Sequence, residues 1–239
     1  MRVGKLHQIH RYPVKSFAGE RLNEVQVEPY GLYGDRSHAI VDGSKEGWDR
    51  FVTARDIPEM LLYRASLEMG EGGMEFPSLH ITAPDGTRLS WNEELLHRFQ
   101  DRCKQPLSLE THTRDEAQLA VDSGSVLLVT DASMRELERQ WGKRLDAGRF
   151  RPNLIVAMDE DRHFAEMEWT DRKLRIGTAV FQVDIACERC MMVTLDPATT
   201  ERDPTLLKLL HAETALTFGM YAEVATPGMI RVGDDVELL

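Results

Sequence analysis

Two cysteines three residues apart are the part of this sequence best suited to chemistry. Cys187 and Cys190 follow the segment Phe181 to Ile185, in which apolar and polar residues alternate strictly. That alternation predicts a half-buried strand, so the thiols would lie at a strand end and point into a cleft. The neighbouring Arg189 favours the thiolate, which is the form that binds a metal or attacks an electrophile. A lone cysteine is equally often a small buried hydrophobe, so further residues must decide.

Two familiar uses of a Cys-x-x-Cys pair fit this sequence less well. Structural zinc would need two more ligands, which only Cys103 and scattered histidines could supply, since no second Cys-x-x-Cys occurs. A thioredoxin-like disulfide would place the pair at a helix start, whereas Met191 to Thr194 is predicted to be strand. No dinucleotide-binding glycine pattern, P-loop or zinc-protease motif is present.

Three other stretches place cations beside turn residues: Tyr12 to Ser16, Gly31 to Arg36, and Arg149 to Leu154. Proline and glycine expose backbone amides there, and the Lys or Arg side chains can be aimed. A lysine, a serine hydroxyl and converging arginines are what a phosphate dianion needs. Each stretch alone would be read as solvated surface cations.

Taken in order, these stretches resemble the MOSC-domain proteins. The matching series also includes Phe51 to Arg55 with Pro58, Arg189-Cys190 through Asp196-Pro197, and Pro227-Gly228 through Val232 to Asp234. The sequence is similar above all to the two-part members, which include the mitochondrial amidoxime-reducing components and bacterial reductases of N-hydroxylated compounds. The resemblance implies an N-terminal β-barrel module over residues 1–100 and a MOSC domain over residues 101–239. Pro106, which ends the first predicted helical segment, is the candidate domain boundary.

That family binds the molybdenum cofactor, a molybdenum ion carried by a pterin dithiolene with a terminal phosphate. By resemblance, Cys190 is the catalytic residue and the metal ligand, which suits a soft thiolate. The resemblance also assigns the cofactor-binding residues, namely Lys15, Ser16, Arg36, Ser123, Arg151 and Asn153. Cys187 would line the cleft without an assigned role.

The resemblance implies an oxidoreductase that reduces N-hydroxylated or N-oxide substrates, with a small molecule as substrate. Some bacterial relatives carry an iron–sulfur domain, whereas this sequence stops at Leu239 without cysteines for a cluster. We therefore expect an external electron donor, either a flavoprotein reductase or a ferredoxin-type protein. Two alternatives remain: a sulfur or molybdenum-cofactor carrier that uses Cys190, and a non-catalytic MOSC binding module.

The elements that would position these residues are mainly strands, so the predicted fold class is mostly β (α+β), with barrels and peripheral helices. Strands are expected at Val3 to His10 (an edge strand), Asn23 to Glu28, Ser37 to Val41, Leu61 to Met69, Ser78 to Thr82, Val126 to Thr130 and Leu154 to Met158, and as a hairpin of Met229 to Val232 with Val236 to Leu239.

Three helices are expected. The first is capped by Asn92 and carries Cys103 on its apolar stripe, the second has a capping box of Ser133 and Glu136, and the third runs from Asp203-Pro204 to Leu210.

The bulk composition sets limits on partners. The net charge of −11 argues against non-specific binding to nucleic acid or to anionic membranes, so an anionic ligand must be held by a local cluster of cations. The few cysteines, the absence of a signal peptide and the lack of an 18-residue apolar run predict a cytoplasmic protein without a membrane span.

Overall fold

The computed structural model describes residues 1–68, 75–116 and 119–239 and confirms a mostly β protein. The strands in the described residues are β1 (Arg2–Arg11), β2 (Glu20–Leu22), β3 (Glu24–Glu28), β4 (Gly31–Leu32), β5 (His38–Asp42), β6 (Arg64–Leu67), β7 (Leu79–Thr82), β8 (Arg88–Leu89), β9 (Leu107–Thr111), β10 (Val126–Thr130), β11 (Leu154–Met158), β12 (Lys173–Ile176), β13 (Ala179–Glu188), β14 (Thr217–Thr226), β15 (Gly228–Arg231) and β16 (Asp235–Leu238). The α-helices among these residues are α1 (Glu93–Gln100), α2 (Asp131–Trp141) and α3 (Thr205–Thr214).

Seven strands form a closed barrel in the order β11, β10, β14, β13, β12, β16 and β1, and the pairing of β1 with β11 closes the ring. Only β10 and β11 run parallel, and the other neighbours are antiparallel. The strand β1 was expected at an edge, and that was wrong. It pairs with β11 on one side and with β16 and β2 on the other.

The seam between β1 and β11 depends on a glycine and on a bulge. A Cβ atom at Gly4 would lie 2.2 Å from the carbonyl oxygen of Ala157, so only glycine allows this approach of the strands. The register shifts between Leu6 and Gln8. Because of this bulge, the buried side of the strand changes from even-numbered to odd-numbered residues, so Leu6 before it and Ile9 after it are both buried.

Three smaller sheets surround the barrel: β15-β3-β4, β5-β9 and β6-β7-β8. The predicted C-terminal hairpin was wrong, because β15 pairs with β3 while β16 pairs with β1 and β12. Hydrogen bonding thus crosses between the first and last parts of the chain in both directions. The division at residues 100 and 101 stays a prediction.

The helices begin and end where local chemistry dictates. The side chain of Asn92 accepts hydrogen bonds from the first-turn amides of α1, as predicted, but α1 ends before Cys103, which is half-buried after the helix. The capping box predicted for α2 was wrong. Thr130 is the N-cap, one turn earlier, and Ser133 is a buried residue inside the helix. The third helix, α3, extends past Leu210 to Thr214.

The predicted strand from Leu61 to Met69 was partly wrong. Proline opens a 3-10 helix at Pro58–Leu62, and the strand β6 begins only at Arg64. Met69 lies outside the described residues. None of the helices in the described ranges is long and apolar enough to cross a membrane.

Candidate functional site

One cleft collects most of the predicted site residues. It lies where the segments that follow β1 and β13 meet those that precede β10 and β11, and its space, open to solvent, is about 850 Å³. Six predicted residues line it: Lys15, Ser16, Arg36, Arg151, Asn153 and Cys190. Ser123 is exposed and lies between two lining residues without lining the cleft itself.

Three of the lining residues adopt the left-handed backbone conformation. The φ angles of Ser16, Arg36 and Arg151 are 69°, 52° and 54°, and none of these residues is glycine. Such conformations cost about 1–3 kcal/mol each and concentrate at functional sites. Each of the three loops is therefore held in a strained shape that determines where its side chain starts.

Arg36 is fixed by acceptors on two sides. Its Nη1 donates to the Asp35 carboxylate and, over 3.1 Å, to Oδ1 of Asn153, while Nη2 donates to the carbonyl of Arg151 at 3.2 Å. Burial opposes the charged guanidinium, but Asp35 outweighs it and raises the pKa of Arg36. Asn153 also accepts from the Leu127 amide at 3.1 Å, which attaches this network to β10.

Arg151 has spare donor capacity. Its Nη1 donates to the carbonyl of Phe17 at 2.7 Å, but Nη2 is buried and has no hydrogen-bond partner among the described residues. Desolvation lowers the pKa of Arg151 to about 10, so the side chain is still charged at neutral pH. A buried, unpaired guanidinium donor is costly unless a ligand supplies an acceptor.

Lys15 is buried at the edge of the cleft. Its Nζ donates to Oδ1 of Asp122 at 2.6 Å and to the carbonyl of Ala120 at 2.9 Å, and it lies over the rings of Trp48 and Phe51. Desolvation lowers the pKa of Lys15 despite the nearby carboxylate. Burial alone would raise the pKa of Asp122, but the Lys15 ammonium outweighs it and keeps that pKa low.

Two further buried arginines line the cleft, and sequence reasoning did not assign them to the site. Arg149 donates to the carbonyl of Val193 and to Asp196, and no described residue pairs with its buried Nε. Arg189 donates only to the carbonyls of Phe218 and Phe150, so no carboxylate neutralises it through these bonds. In the sequence, both arginines lie inside the stretches that carry the resemblance, and Arg189 was also noted as the cation between the two cysteines.

Thr53, Arg55, Asp122 and Tyr221 also line the cleft without having been assigned. Thr53 and Arg55 belong to the Phe51 to Arg55 stretch, which is one of those that carry the resemblance. Tyr221 lies on a strand with nothing to mark it in the sequence.

The two cysteines occupy different environments. Cys190 is exposed and is the N-cap position of the 3-10 helix Met191–Thr194, a segment for which the predicted strand was wrong. Cys187 is buried, and desolvation raises the pKa of its thiol. The exposed thiol of Cys190 is thus the one that is accessible to a ligand, while Cys187 packs beside Tyr221.

The donor set of the cleft fits a phosphorylated group that also carries a soft metal. Five buried or half-buried cations surround it in a protein of net charge −11: Lys15, Arg36, Arg149, Arg151 and Arg189. The unpartnered nitrogens of Arg151 and Arg149 are available to an anion, and an accessible thiol suits a soft metal. In the described parts of the chain, no three His, Cys, Asp or Glu side chains group so as to hold a metal by themselves. Cys103 lines a different pocket.

The chain belongs to the MOSC domain family, whose model matches residues 115–237. The model of the MOSC N-terminal beta barrel domain matches residues 3–131. The two matches overlap, which agrees with the interlocked pairing of the first and last strands.

Named relatives cover nearly the whole chain. Mitochondrial amidoxime-reducing component 1 of Mus musculus is 27% identical over 99% of this chain and 83% of the relative. Mitochondrial amidoxime reducing component 2 of Macaca fascicularis is 32% identical over 98% of this chain and 83% of the relative. A molybdenum cofactor sulfurase of Drosophila mojavensis is 35% identical over 46% of this chain and 14% of its own length.

A solved structure shares the fold over the full length. The YUAD protein from Bacillus subtilis superposes with a TM-score of 0.53 over 99% of this chain and 95% of that protein, at 12% identity. At that identity the likeness concerns the fold alone.

Proposed function

We propose that this protein is a molybdenum-cofactor-dependent oxidoreductase that reduces N-hydroxylated or N-oxide substrates with electrons from a separate donor protein. Its family and its relatives support the coarser statement, a role associated with the molybdenum cofactor that is either reductive or sulfurase-like. The observation that carries the proposal is the accessible thiol of Cys190 in the same cleft as the unpartnered Nη2 of Arg151.

In this proposal, the residues of the cleft hold the two ends of the cofactor. Cys190 would ligate the metal through its sulfur, and Arg36, Arg151 and Lys15 would hold the phosphate, with the Ser16 hydroxyl as a neutral donor. When bound, the cofactor supplies the oxygen-atom abstraction and the two-electron redox chemistry. Overall, an N-hydroxyl group with two electrons and two protons gives the N–H compound and water.

The protein contributes binding and orientation. The left-handed loops at Ser16, Arg36 and Arg151 fix where each donor starts, so little reorganisation is needed when an anion enters. The buried Arg189 lines the same cleft as Cys190 and adds positive charge to it.

A second function is supported by the sulfurase relative, which matches 46% of this chain. In that case Cys190 would carry sulfur or present the cofactor to another enzyme. The same cleft residues would be used, so binding of the cofactor alone does not separate the two functions. Turnover does.

The test is the metal and pterin content of protein purified from a host that makes the cofactor. We expect equimolar molybdenum and phosphorylated pterin, and turnover of a benzamidoxime-type substrate with a chemical reductant or a reductase system. Cys190→Ser should lose both the metal and the turnover. Cys103→Ser is its matched control, since this half-buried thiol lies in another pocket. Zinc or no metal, when a control molybdoenzyme is loaded, would count against the proposal. Loading without turnover would favour the carrier.

A further inference from the structure

We infer that Tyr12 positions the guanidinium groups of Arg36 and Arg151 for one anion, and that its ring rather than its hydroxyl does so. The inference rests on the proposed function, in which these arginines hold the cofactor's phosphate. Tyr12 is 4% exposed, and the guanidinium carbons of Arg36 and Arg151 lie over its ring, 4.5 and 4.2 Å from the centroid.

The arrangement addresses a problem of like charges. Two guanidinium groups that converge on one anion repel each other when the anion is absent. Burial, and to a smaller extent the charge of Arg36, lower the pKa of Arg151. Asp35 neutralises Arg36, but the hydrogen bond recorded for the Arg151 side chain goes to a carbonyl. Something else must hold Arg151 in place.

An aromatic ring suits this task better than a second carboxylate would. The face of the ring attracts a cation through its quadrupole, and the attraction is stronger when the pair is desolvated. Because the ring carries no net charge, it leaves the positive potential in the cleft available to a ligand. Burial raises the pKa of Tyr12 to about 12, so the phenol stays neutral.

The backbone of Tyr12 supports the same function. Its amide donates to Oδ1 of Asp35 at 2.7 Å, and its carbonyl accepts from the Arg36 amide at 2.7 Å. Its hydroxyl donates to the carbonyl of Pro152, next to Arg151, over a longer 3.3 Å. One residue therefore contacts both arginine loops, which come from distant parts of the chain.

Tyr12 contacts the arginines on the side away from the cleft. In the described part of the chain, Arg151 lines both the cleft and a neighbouring pocket, whereas Tyr12 lines only the neighbouring pocket. The ring therefore reaches a bound anion only through the arginines, and Tyr12 is a positioning residue.

The experiment replaces Tyr12 first by phenylalanine and then by phenylalanines with increasing ring fluorination, which weakens the negative face with little change in volume. Inorganic phosphate is titrated calorimetrically into each cofactor-free protein. We expect Tyr12→Phe to bind phosphate within about twofold of the parent and full fluorination to weaken binding about tenfold, in steps. The same series at Phe99 is the matched control. Phe99 is also buried, and its ring packs against the rings of Phe17 and Tyr63.

Each outcome decides the question. A stepwise loss at position 12, with a flat series at position 99, supports the inference whatever the metal content proves to be. A flat series at position 12 in a protein that binds phosphate overturns it and leaves the proposed function standing. Loss of binding in Tyr12→Phe alone would assign the effect to the hydroxyl and also overturn it. If the parent binds no phosphate, both this inference and the anion site of the proposed function fail.

Discussion

The amide oxygen of Asn153 accepts a hydrogen bond from Nη1 of Arg36 over 3.1 Å, although the two residues are 117 positions apart. The same oxygen accepts from the Leu127 amide, and the Asn153 side-chain nitrogen donates to the carbonyl of His10. Asn153 thus joins the Arg36 loop to the start of β10 and the end of β1. The orientation of Arg36 depends on the barrel strands and not only on its own loop.

The cation cluster leads to the first prediction. Arg151→Ala should weaken phosphate binding and cofactor retention about tenfold or more, because a desolvated charge-assisted hydrogen bond is worth about 1.5–3 kcal/mol. Arg36→Lys should show a smaller loss, since it keeps the charge next to the buried Asp35 but removes the fork. Calorimetry with phosphate and the molybdenum content measure the effect. The exposed Arg88→Ala is the control, and equal retention in all three variants would place the anion elsewhere.

The cysteines give the second prediction. Cys190→Ser should lose molybdenum and reductase activity while keeping its circular dichroism spectrum, because a hydroxyl is a harder and poorer ligand than a thiolate. Cys187→Ser should keep most of the metal and a substantial part of the activity, since its thiol is buried beside Tyr221. Metal content and activity are measured side by side. A dead Cys187→Ser with an active Cys190→Ser would reverse the assignment.

A buried carboxyl at the start of α2 makes stability depend on pH. Glu166 accepts hydrogen bonds from Thr130 and Ser133, and its Oε1 has no partner in the part of the chain that the structure describes. Desolvation raises the pKa of Glu166 above the ordinary 4.5. The pKa of Glu166 is higher in the folded protein than in the unfolded chain. Its contribution to the free energy of unfolding is therefore complete below about pH 4.5 and is lost as the pH rises through the folded pKa. Glu166→Gln, which cannot ionise, should therefore gain stability relative to the parent across that window.

Thermal unfolding from pH 4 to pH 8 (roughly the span that brackets this titration) measures the difference between Glu166→Gln and the parent. The exposed Glu213→Gln is the control. Parallel curves for Glu166→Gln and the parent would show that folding does not change the pKa of this carboxyl and would contradict the prediction.

The fourth prediction concerns an ion pair that is almost wholly enclosed. Arg11 is 1% exposed and pairs with Glu20 at 2.7 Å, and it also donates to the carbonyls of Tyr33 and Leu67. Glu20→Ala would leave that guanidinium without its carboxylate and should cost about 3–5 kcal/mol. Arg11→Met with Glu20→Leu should be milder, because both charges are removed. Denaturant unfolding compares them, and an equal cost would refute the charge argument.

Local periodicity predicted the strands well because it reports which face of an element is buried. The buried run Val126 to Thr130 and the strand Leu154 to Met158 were confirmed at the predicted bounds. Periodicity does not say which strand pairs with which. The predicted hairpin of β15 and β16 failed for that reason: their sequence suits pairing, but β15 finds β3 instead.

The candidate site shows the same limit. The resemblance named residues that the structure collects in one cleft, but no local pattern marks the left-handed conformation of Ser16, Arg36 and Arg151, since glycine is its usual sign. Nor could the sequence indicate that Lys15 is buried with Asp122 as its partner, because that contact joins loops 107 positions apart.

The seam between β1 and its partners constrains how the protein comes off the ribosome. Gly4 is paired with Met158 and with Val236, so β1 must wait until both of these distant downstream strands have been synthesised before its two edges are satisfied. Closing such long loops is slow, and an open strand edge invites pairing with other chains in the meantime. Lys15 and Ser16 lie shortly after that strand, so we expect the cleft to acquire its final shape only after β16 has been synthesised, with barrel closure as the step that precedes any loading of a ligand.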